Sequence, residues 1–412
     1  MPHAPEGPET RAGGRFAWWA STPLYVRILI GMALGVAVGW TCGPAVRPLD
    51  WIAQIVLRIL GALAPMLILL AVVQAIMTAE IRGRVALKIA GLLLINTTVA
   101  ILVGLVVANV MRPGAGANLH RPAHAPVLHS DLVNQLLENV PDSMVKPFVD
   151  NRVLGVVLIA LALGIACRRL ALEQRRFAEQ LVGLGFSVIL EILSWIIALV
   201  PLAVFGKVAS IVGQSGFGSF VALGKFVAAV LCALLLQTIY YLLRIRAGSW
   251  VRPLALLRGT RDALVMAFST GSSTVTMPIT YERLQSRVGL RQQSASLGAL
   301  VGSNFNNDGT ALYEAMAALF IAQLLGVQLS LTQQAVVVLT SIVASVGAAG
   351  IPEAGLVTMT LVFGAVHLPI EYIALLLTVD WFLDRCRTAI NVIGDMTVAC
   401  LLDGKTRAKV AA

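Results

Sequence analysis

The sequence predicts an all-α, polytopic membrane protein, and three observations carry that prediction. Of its 412 residues, 58% are hydrophobic and only 13% charged, against roughly a quarter charged in an ordinary soluble domain. Mean hydropathy is +0.84. Apolar runs of about 20 residues, each long enough to cross a hydrocarbon core of roughly 30 Å, recur along the chain. This composition excludes a soluble enzyme and a string of soluble domains.

A net charge of +10 would suit a nucleic-acid partner, but the basic residues sit between the apolar runs. With the N-terminus placed inside, most Lys and Arg fall in cytoplasmic segments, among them Arg82, Arg84, Lys88, the Arg168, Arg169, Arg175 and Arg176 cluster, and the stretch from Arg244 to Arg261. Arg47, Arg112, Arg121, Lys146, Arg152 and Lys207 fall outside. This is the positive-inside bias, and it predicts both termini in the cytoplasm, the bilayer of the cell (inner) membrane as surroundings, and no nucleic acid.

Residues 1–23 are polar and are expected to form a disordered cytoplasmic N-terminus. The run from Leu24 to Cys42 lacks a small-residue cleavage site and reads as a retained span. Six spans are predicted near 24–45, 51–77, 89–111, 152–168, 181–205 and 219–243, with short basic links inside and one longer outer loop, 112–150. The five cysteines are scattered and read as small packing residues. His120, His124 and His129 have no fourth ligand in the sequence and read as a solvated loop.

Beyond the basic link 244–263 the apolar segments become rich in Ser, Thr, Gly, Asn and Asp. Two are interrupted by small residues and a proline, at Ser269–Pro278 and Ser345–Gly355. Exposed backbone polar groups cost several kcal/mol each in hydrocarbon, so such segments belong where they line a protein cavity. Both are predicted to be re-entrant helical hairpins. Each is followed by a polar-marked span at the same interval, Pro278 to Asn306 and Pro352 to Asp380. A hairpin and a span occurring twice, entering from opposite sides, is the trace of an inverted repeat around a midplane site. The expected transport core is 264–401, with 402–412 as a cytoplasmic tail.

The span 371–401 carries Asp380, Asp384, Arg387, Asn391 and Asp395, with Thr388 at the border. At helical spacing these five occupy an arc of roughly 80°, one face, while Arg385 points away. Ionisable groups at membrane depth cost roughly 2.5–3.5 kcal/mol each, which makes the stripe a candidate site. The other span carries Asn304, Asn306, Asn307, Asp308, Gly309 and Thr310 within an apolar run. Poor helix formers next to Gly predict local unwinding, which frees carbonyl oxygens beside Asn and Asp side chains, hard ligands suited to Na⁺. Glu314, about one turn later, has no cationic neighbour in sequence and is a candidate proton carrier. Nothing in the Ser-rich hairpin supplies a base for a nucleophile, so an intramembrane hydrolase is not predicted.

The strings Asn307-Asp308-Gly309-Thr310-Ala311-Leu312-Tyr313, Gly347-Ala348-Ala349-Gly350-Ile351-Pro352 and Asp380 through Asp395 resemble the three signature motifs of the dicarboxylate/amino acid:cation symporters, the glutamate transporter family. The resemblance covers about 25–400 and is strongest from 267 onward. It implies eight transmembrane helices plus two re-entrant hairpins, assembled as a homotrimer. Spans 1, 2, 4 and 5 would form a scaffold, and spans 3 and 6 would join the hairpins and spans 7 and 8 in a unit that moves like an elevator.

By motif position, Arg387 would clamp a substrate carboxylate, Asp384 would take an amino group, and Thr310, Thr388 and Asn391 would add hydrogen bonds. Ser272 and Ser273 would hold the α-carboxylate, and Gly350, Ile351 and Gly355 would belong to the outer lid. One Na⁺ would sit among the Gly302 carbonyl, Asn306, the Asn391 carbonyl and Asp395, and another among Asn96, Thr97, Asn306 and Asp308. Asn304, Asn307 and Ser345 complete the implied cation set. Glu314 matches a proton-carrying position of the animal excitatory amino acid transporters, a branch that Arg385 and Gly271 also follow. The chain departs from the family at Asn307, where a Met is usual, at Leu93, where a Tyr is usual, and at Asn304, Glu353 and Thr274.

The implied function is symport of an acidic amino acid driven by Na⁺ and H⁺. The alternatives are a C4-dicarboxylate symporter and an anion channel of the same fold, and a simple pore would not need the substrate Arg. No cofactor is expected beyond the coupling ions.

Overall fold

In the computed structural model, the residues described are 22–78, 84–116, 141–150, 153–215, 218–347 and 354–406. Among them the only regular structure is helical. Helix α1, Leu24–Cys42, runs through a 3₁₀ segment, Gly43–Leu49, into α2, Asp50–Thr78. Four more apolar helices follow: α3 (Arg84–Met111), α4 (Val153–Arg168), α5 (Leu172–Ser215) and α6 (Gly218–Gly248). All are dominated by Leu, Val, Ile and Ala, and a helix satisfies its backbone internally, as hydrocarbon requires.

Among the described residues, four helical stretches are long and apolar enough to cross a membrane: Val26–Gln74, Leu87–Met111, Leu172–Gln214 and Val221–Gly248. Helix α5 begins well before the predicted start of its span, because Leu172 to Gln180 is built of good helix formers that continue the helix beyond its apolar part. Helix α6 likewise continues through the first residues of the basic link.

The first hairpin is α7 (Arg261–Thr270) and α8 (Ser273–Arg283), turning at Gly271, whose φ of 65° is left-handed and suits glycine. Ser272 caps α8 by accepting the Val275 N–H. With the cap fixed there, Pro278, expected at the tip, lies inside α8. The second hairpin is α10 (Leu331–Gly347) and α11 (Ala354–Ala365). Its tip, including Gly350 and Ile351, lies outside the described residues, as do the three loop histidines, residues 1–21 and residues 407–412.

Between the hairpins, a helical segment with a π-helical turn at Leu297–Val301 ends at Gly302–Phe305, and α9 restarts at Asp308–Leu324. The predicted unwinding falls on Asn306 and Asn307, whose ψ values of 83° and 45° leave the helical region. The last helix, α12 (Ile373–Asp403), is continuous through the polar stripe.

Helices α1, α2 and α4 pack with α5 or with one another, while α3, α6, α9 and α12 pack among themselves, and α7 lies on α12. The hairpin α10–α11 touches both groups, through α9 and α3 on one side and α2 on the other. Burial is inverted relative to a water-soluble domain: Asp308, Glu314 and Arg387 are fully buried, whereas Leu184, Trp195 and Leu202 on α5 are more than half exposed.

Candidate substrate and cation site

The stripe on α12 faces inward as its spacing predicts. Asp380, Asp384, Arg387, Thr388, Asn391 and Asp395 are all buried. Arg385 is half-buried and donates to Trp381 O at 2.6 Å, one turn back on its own helix.

Arg387 organises one end. Its Nη1 donates to Asp380 Oδ1 at 2.9 Å and its Nη2 to Asp384 Oδ1 at 2.7 Å. The guanidinium lies over the Tyr313 ring, 4.0 Å from the centroid, a cation–π contact that fixes its plane. Gly355, in the first turn of α11, approaches so closely that a Cβ there would stand 3.0 Å from Thr310 Cγ2 and 3.6 Å from Arg387 Nη2. The second hairpin therefore abuts the guanidinium.

Asn391 ties α12 to the break before α9. Its Oδ1 accepts the Gly309 N–H at 2.8 Å, and its Nδ2 reaches Asn307 Oδ1 at 3.4 Å and Thr310 Oγ1 at 3.5 Å. Asn306 Nδ2 donates to Asn391 O at 2.8 Å and to Asp395 Oδ1 at 3.0 Å, and the Asp395 carboxylate packs directly on Gly302, leaving no room for a Cβ. Gly302, Asn306, Asn391 and Asp395 are thus brought together, and Asn306 Oδ1 is buried without a hydrogen-bond partner. An unsatisfied buried oxygen beside a carboxylate and backbone carbonyls is a donor set for a hard cation.

The remaining candidates fall around this centre. Thr97 Oγ1 donates to Asp308 Oδ1 at 2.6 Å. Asn307 Nδ2 donates to Ser345 O at 3.0 Å, linking α9 to the second hairpin. Ser273 donates to Ser303 O at 3.1 Å, linking the first hairpin to the turn before the break, while Ser272 serves as the cap of α8. Asn304 is a departure. It is exposed and bonded to Leu300 O, because the four-residue helix Gly302–Phe305 turns it away from the buried Asn306. Glu314 accepts a hydrogen bond from Thr358 of α11, and its second oxygen has no partner.

Several further neighbours carry no motif of their own. Tyr241 donates to Asp308 Oδ2, and Arg244, read from the sequence as part of a basic link, donates to Asn96 Oδ1. Gln237 donates to the Asn96 carbonyl at 3.4 Å. Their spacing of 4 and 3 marks a polar stripe on α6 that could have been found as the α12 stripe was.

This arrangement, an Arg-centred pocket joined to a set of buried oxygens at a helix break, accompanies a match over nearly the whole chain. A family model described as the sodium:dicarboxylate symporter family matches residues 24–405. The chain belongs to that family. It is accordingly a membrane transporter rather than an enzyme. Among its relatives, a C4-dicarboxylate transport protein 2 of Mesorhizobium japonicum is 32% identical over 391 residues, 90% of this chain and 87% of the relative. A C4-dicarboxylate transport protein of Bordetella avium is 29% identical over 395 residues, 92% of this chain and 88% of the relative. An excitatory amino acid transporter of Caenorhabditis elegans is 38% identical over 248 residues, 59% of this chain and 49% of the relative.

Proposed function

We propose that the protein is a secondary active symporter that takes up an acidic amino acid, aspartate or glutamate, driven by Na⁺ with a proton as second coupling ion. The observation that carries this reading is Arg387 held beside Asp384 in a buried pocket. The planar fork of Arg suits bidentate recognition of a carboxylate. Asp384 supplies the anion that an ammonium group needs and that a dicarboxylate without one would meet as repulsion. An incoming carboxylate takes over the Nη2 partnership, and Asp384 turns to the ammonium.

Na⁺ is assigned to Gly302, Asn306, Asn391 and Asp395, supported by the unpartnered Asn306 Oδ1. Glu314 is assigned the proton, because a buried carboxylate with a single hydroxyl donor and no paired cation is costly as an ion. The packing groups suit an elevator in which α1, α2, α4 and α5 stay fixed while α3, α6, both hairpins, α9 and α12 move as one body. A homotrimer in the inner membrane with cytoplasmic termini completes the reading.

A second reading, symport of a C4-dicarboxylate, is favoured by the names of the relatives that match about 90% of the chain. Uptake of labelled aspartate, glutamate and succinate into proteoliposomes, with Na⁺, H⁺ and K⁺ gradients imposed separately, tests both. Aspartate or glutamate accumulating at least about tenfold over succinate under an inward Na⁺ gradient supports the first reading, and the reverse order supports the second. No gradient-driven uptake of any of the three sinks both.

A further inference from the structure

Two oxygen clusters converge on the break before α9, and they are completed differently. In the Asp395 cluster Asn306 Oδ1 is left without a partner. In the Asp308 cluster the chain itself supplies the donors to Asp308 and Asn96, and the buried oxygen without a partner is Gln237 Oε1, outside the Asn96, Thr97 and Asp308 set. Thr97 donates to Asp308 Oδ1 at 2.6 Å and Tyr241 to Asp308 Oδ2. Arg244 Nη1 donates to Asn96 Oδ1, and Gln237 Nε2 reaches Asn96 O. Leu93 offers only its carbonyl, which lies 3.0 Å from the Thr97 hydroxyl.

Arg244 is not a surface charge that happens to lie nearby. It is half-buried, its guanidinium lies 5.6 Å from the Tyr240 ring centroid and its Nη1 is 3.2 Å from Tyr240 Oη, so the side chain is held from behind while its tip enters the cluster. Asp308, the carboxylate of that cluster, is fully buried and accepts the Thr97 and Tyr241 hydroxyls. A mobile cation entering among Asn96, Thr97 and Asp308 would have to displace the guanidinium from Asn96 Oδ1 and then sit beside it, against like-charge repulsion.

We propose that Arg244 is a resident cation that takes the place of one coupling ion at Asn96, Thr97 and Asp308, so that Na⁺ binds at the Asp395 cluster and not here. The inference rests on the reading of the protein as a cation-coupled symporter, and it adds which of the two oxygen clusters is open to Na⁺. Its chemical consequence is a lower Na⁺ requirement per substrate, because one positive charge stays with the protein through the cycle.

The test counts bound Na⁺ without using transport. A ligand that binds only the native state stabilises it by RT ln(1 + [L]/Kd) per site, so the slope of thermal midpoint against log Na⁺ concentration, at constant ionic strength in nanodiscs, reports the number of sites. Arg244→Gln is expected to steepen that slope by the increment of one site, and Arg244→Lys, which keeps the charge, to retain the parental slope. An Arg244→Gln slope equal to the parent's overturns the proposal. Should that variant not fold, Thr97→Val in the otherwise unchanged protein decides: the slope is expected to stay parental, and a shallower one overturns the proposal, since an ion would then already be using the Thr97 hydroxyl. Absence of Na⁺-driven uptake by the parent would count against the transport reading, whereas these slopes bear on Arg244 alone.

Discussion

Arg387 and Asp384, three residues apart on α12, are joined by a 2.7 Å hydrogen bond inside a pocket where the guanidinium is fully buried. The i, i+3 spacing stacks them on one face of the helix. Asp380, one turn further back, holds the other Nη, so the fork is pre-set in a single plane over Tyr313. The pair presents a positive and a negative group side by side, which is the complement of an amino acid.

Removing either partner should separate the two substrate classes. Arg387→Ala is expected to abolish binding of aspartate and of succinate alike, a loss of roughly 2–5 kcal/mol, because a desolvated carboxylate is left unpaired. Asp384→Asn should weaken aspartate far more than succinate. Calorimetry on the purified variants measures both, and equal losses for the two ligands with Asp384→Asn would remove this residue from ammonium recognition.

Glu314 and Thr358 face each other across α9 and α11. If Glu314 carries the coupled proton, uptake responds to an imposed pH gradient, and Glu314→Gln eliminates that response while Na⁺ dependence remains. The measurement is initial uptake at two external pH values with internal pH fixed. An undiminished pH response in the variant would assign the proton elsewhere.

Asn307 bridges Ser345 of the second hairpin and Asn391 of α12. Asn307→Met deletes both hydrogen bonds and replaces an amide oxygen by a soft sulfur, so it should change the Na⁺ concentration for half-maximal uptake by several-fold while leaving the Glu314-linked pH response intact. Uptake rate against Na⁺ concentration gives the answer, and superimposable curves would reduce Asn307 to a packing variation.

At the end of α12, Asp403 accepts the Trp250 Nε1–H at 2.7 Å and the Arg291 N–H and Nε–H at 3.1 and 2.9 Å. Burial opposes its charge, but the hydrogen bonds from Trp250, Arg291 and Ser294 outweigh that and hold its carboxyl below the usual aspartate range. A depressed folded-state value means that its stabilisation is complete above the unfolded aspartate value of about 3.9 and is lost as pH falls through the folded one. Asp403→Asn should cost roughly 1–2 kcal/mol at neutral pH and little at strongly acid pH. Thermal midpoints across that range test it, and a pH-independent cost would mean that the carboxylate charge plays no part.

The membrane class, the interruption at Ser269–Pro278, the helix break and the inward stripe on α12 were legible in the residues themselves, because each rests on local composition or local periodicity. A helix at 100° per residue puts Asp380, Asp384, Arg387, Asn391 and Asp395 on one side whatever surrounds them. Signals of composition, such as the Asn-rich break and the small-residue segment Ser269–Pro278, are equally local. Which distant groups meet was settled by packing. Tyr241 reaches Asp308 across 67 positions, and Asn96 receives Arg244 across 148. No local rule sets such distances, since they depend on how α3, α6, α9 and α12 pack. Charge patterning assigned Arg244 to a cytoplasmic link because it lies at the polar end of an apolar run, and packing turned its long side chain inward, where the Asn96 amide oxygen and the Tyr240 hydroxyl receive a guanidinium that charge patterning placed in water.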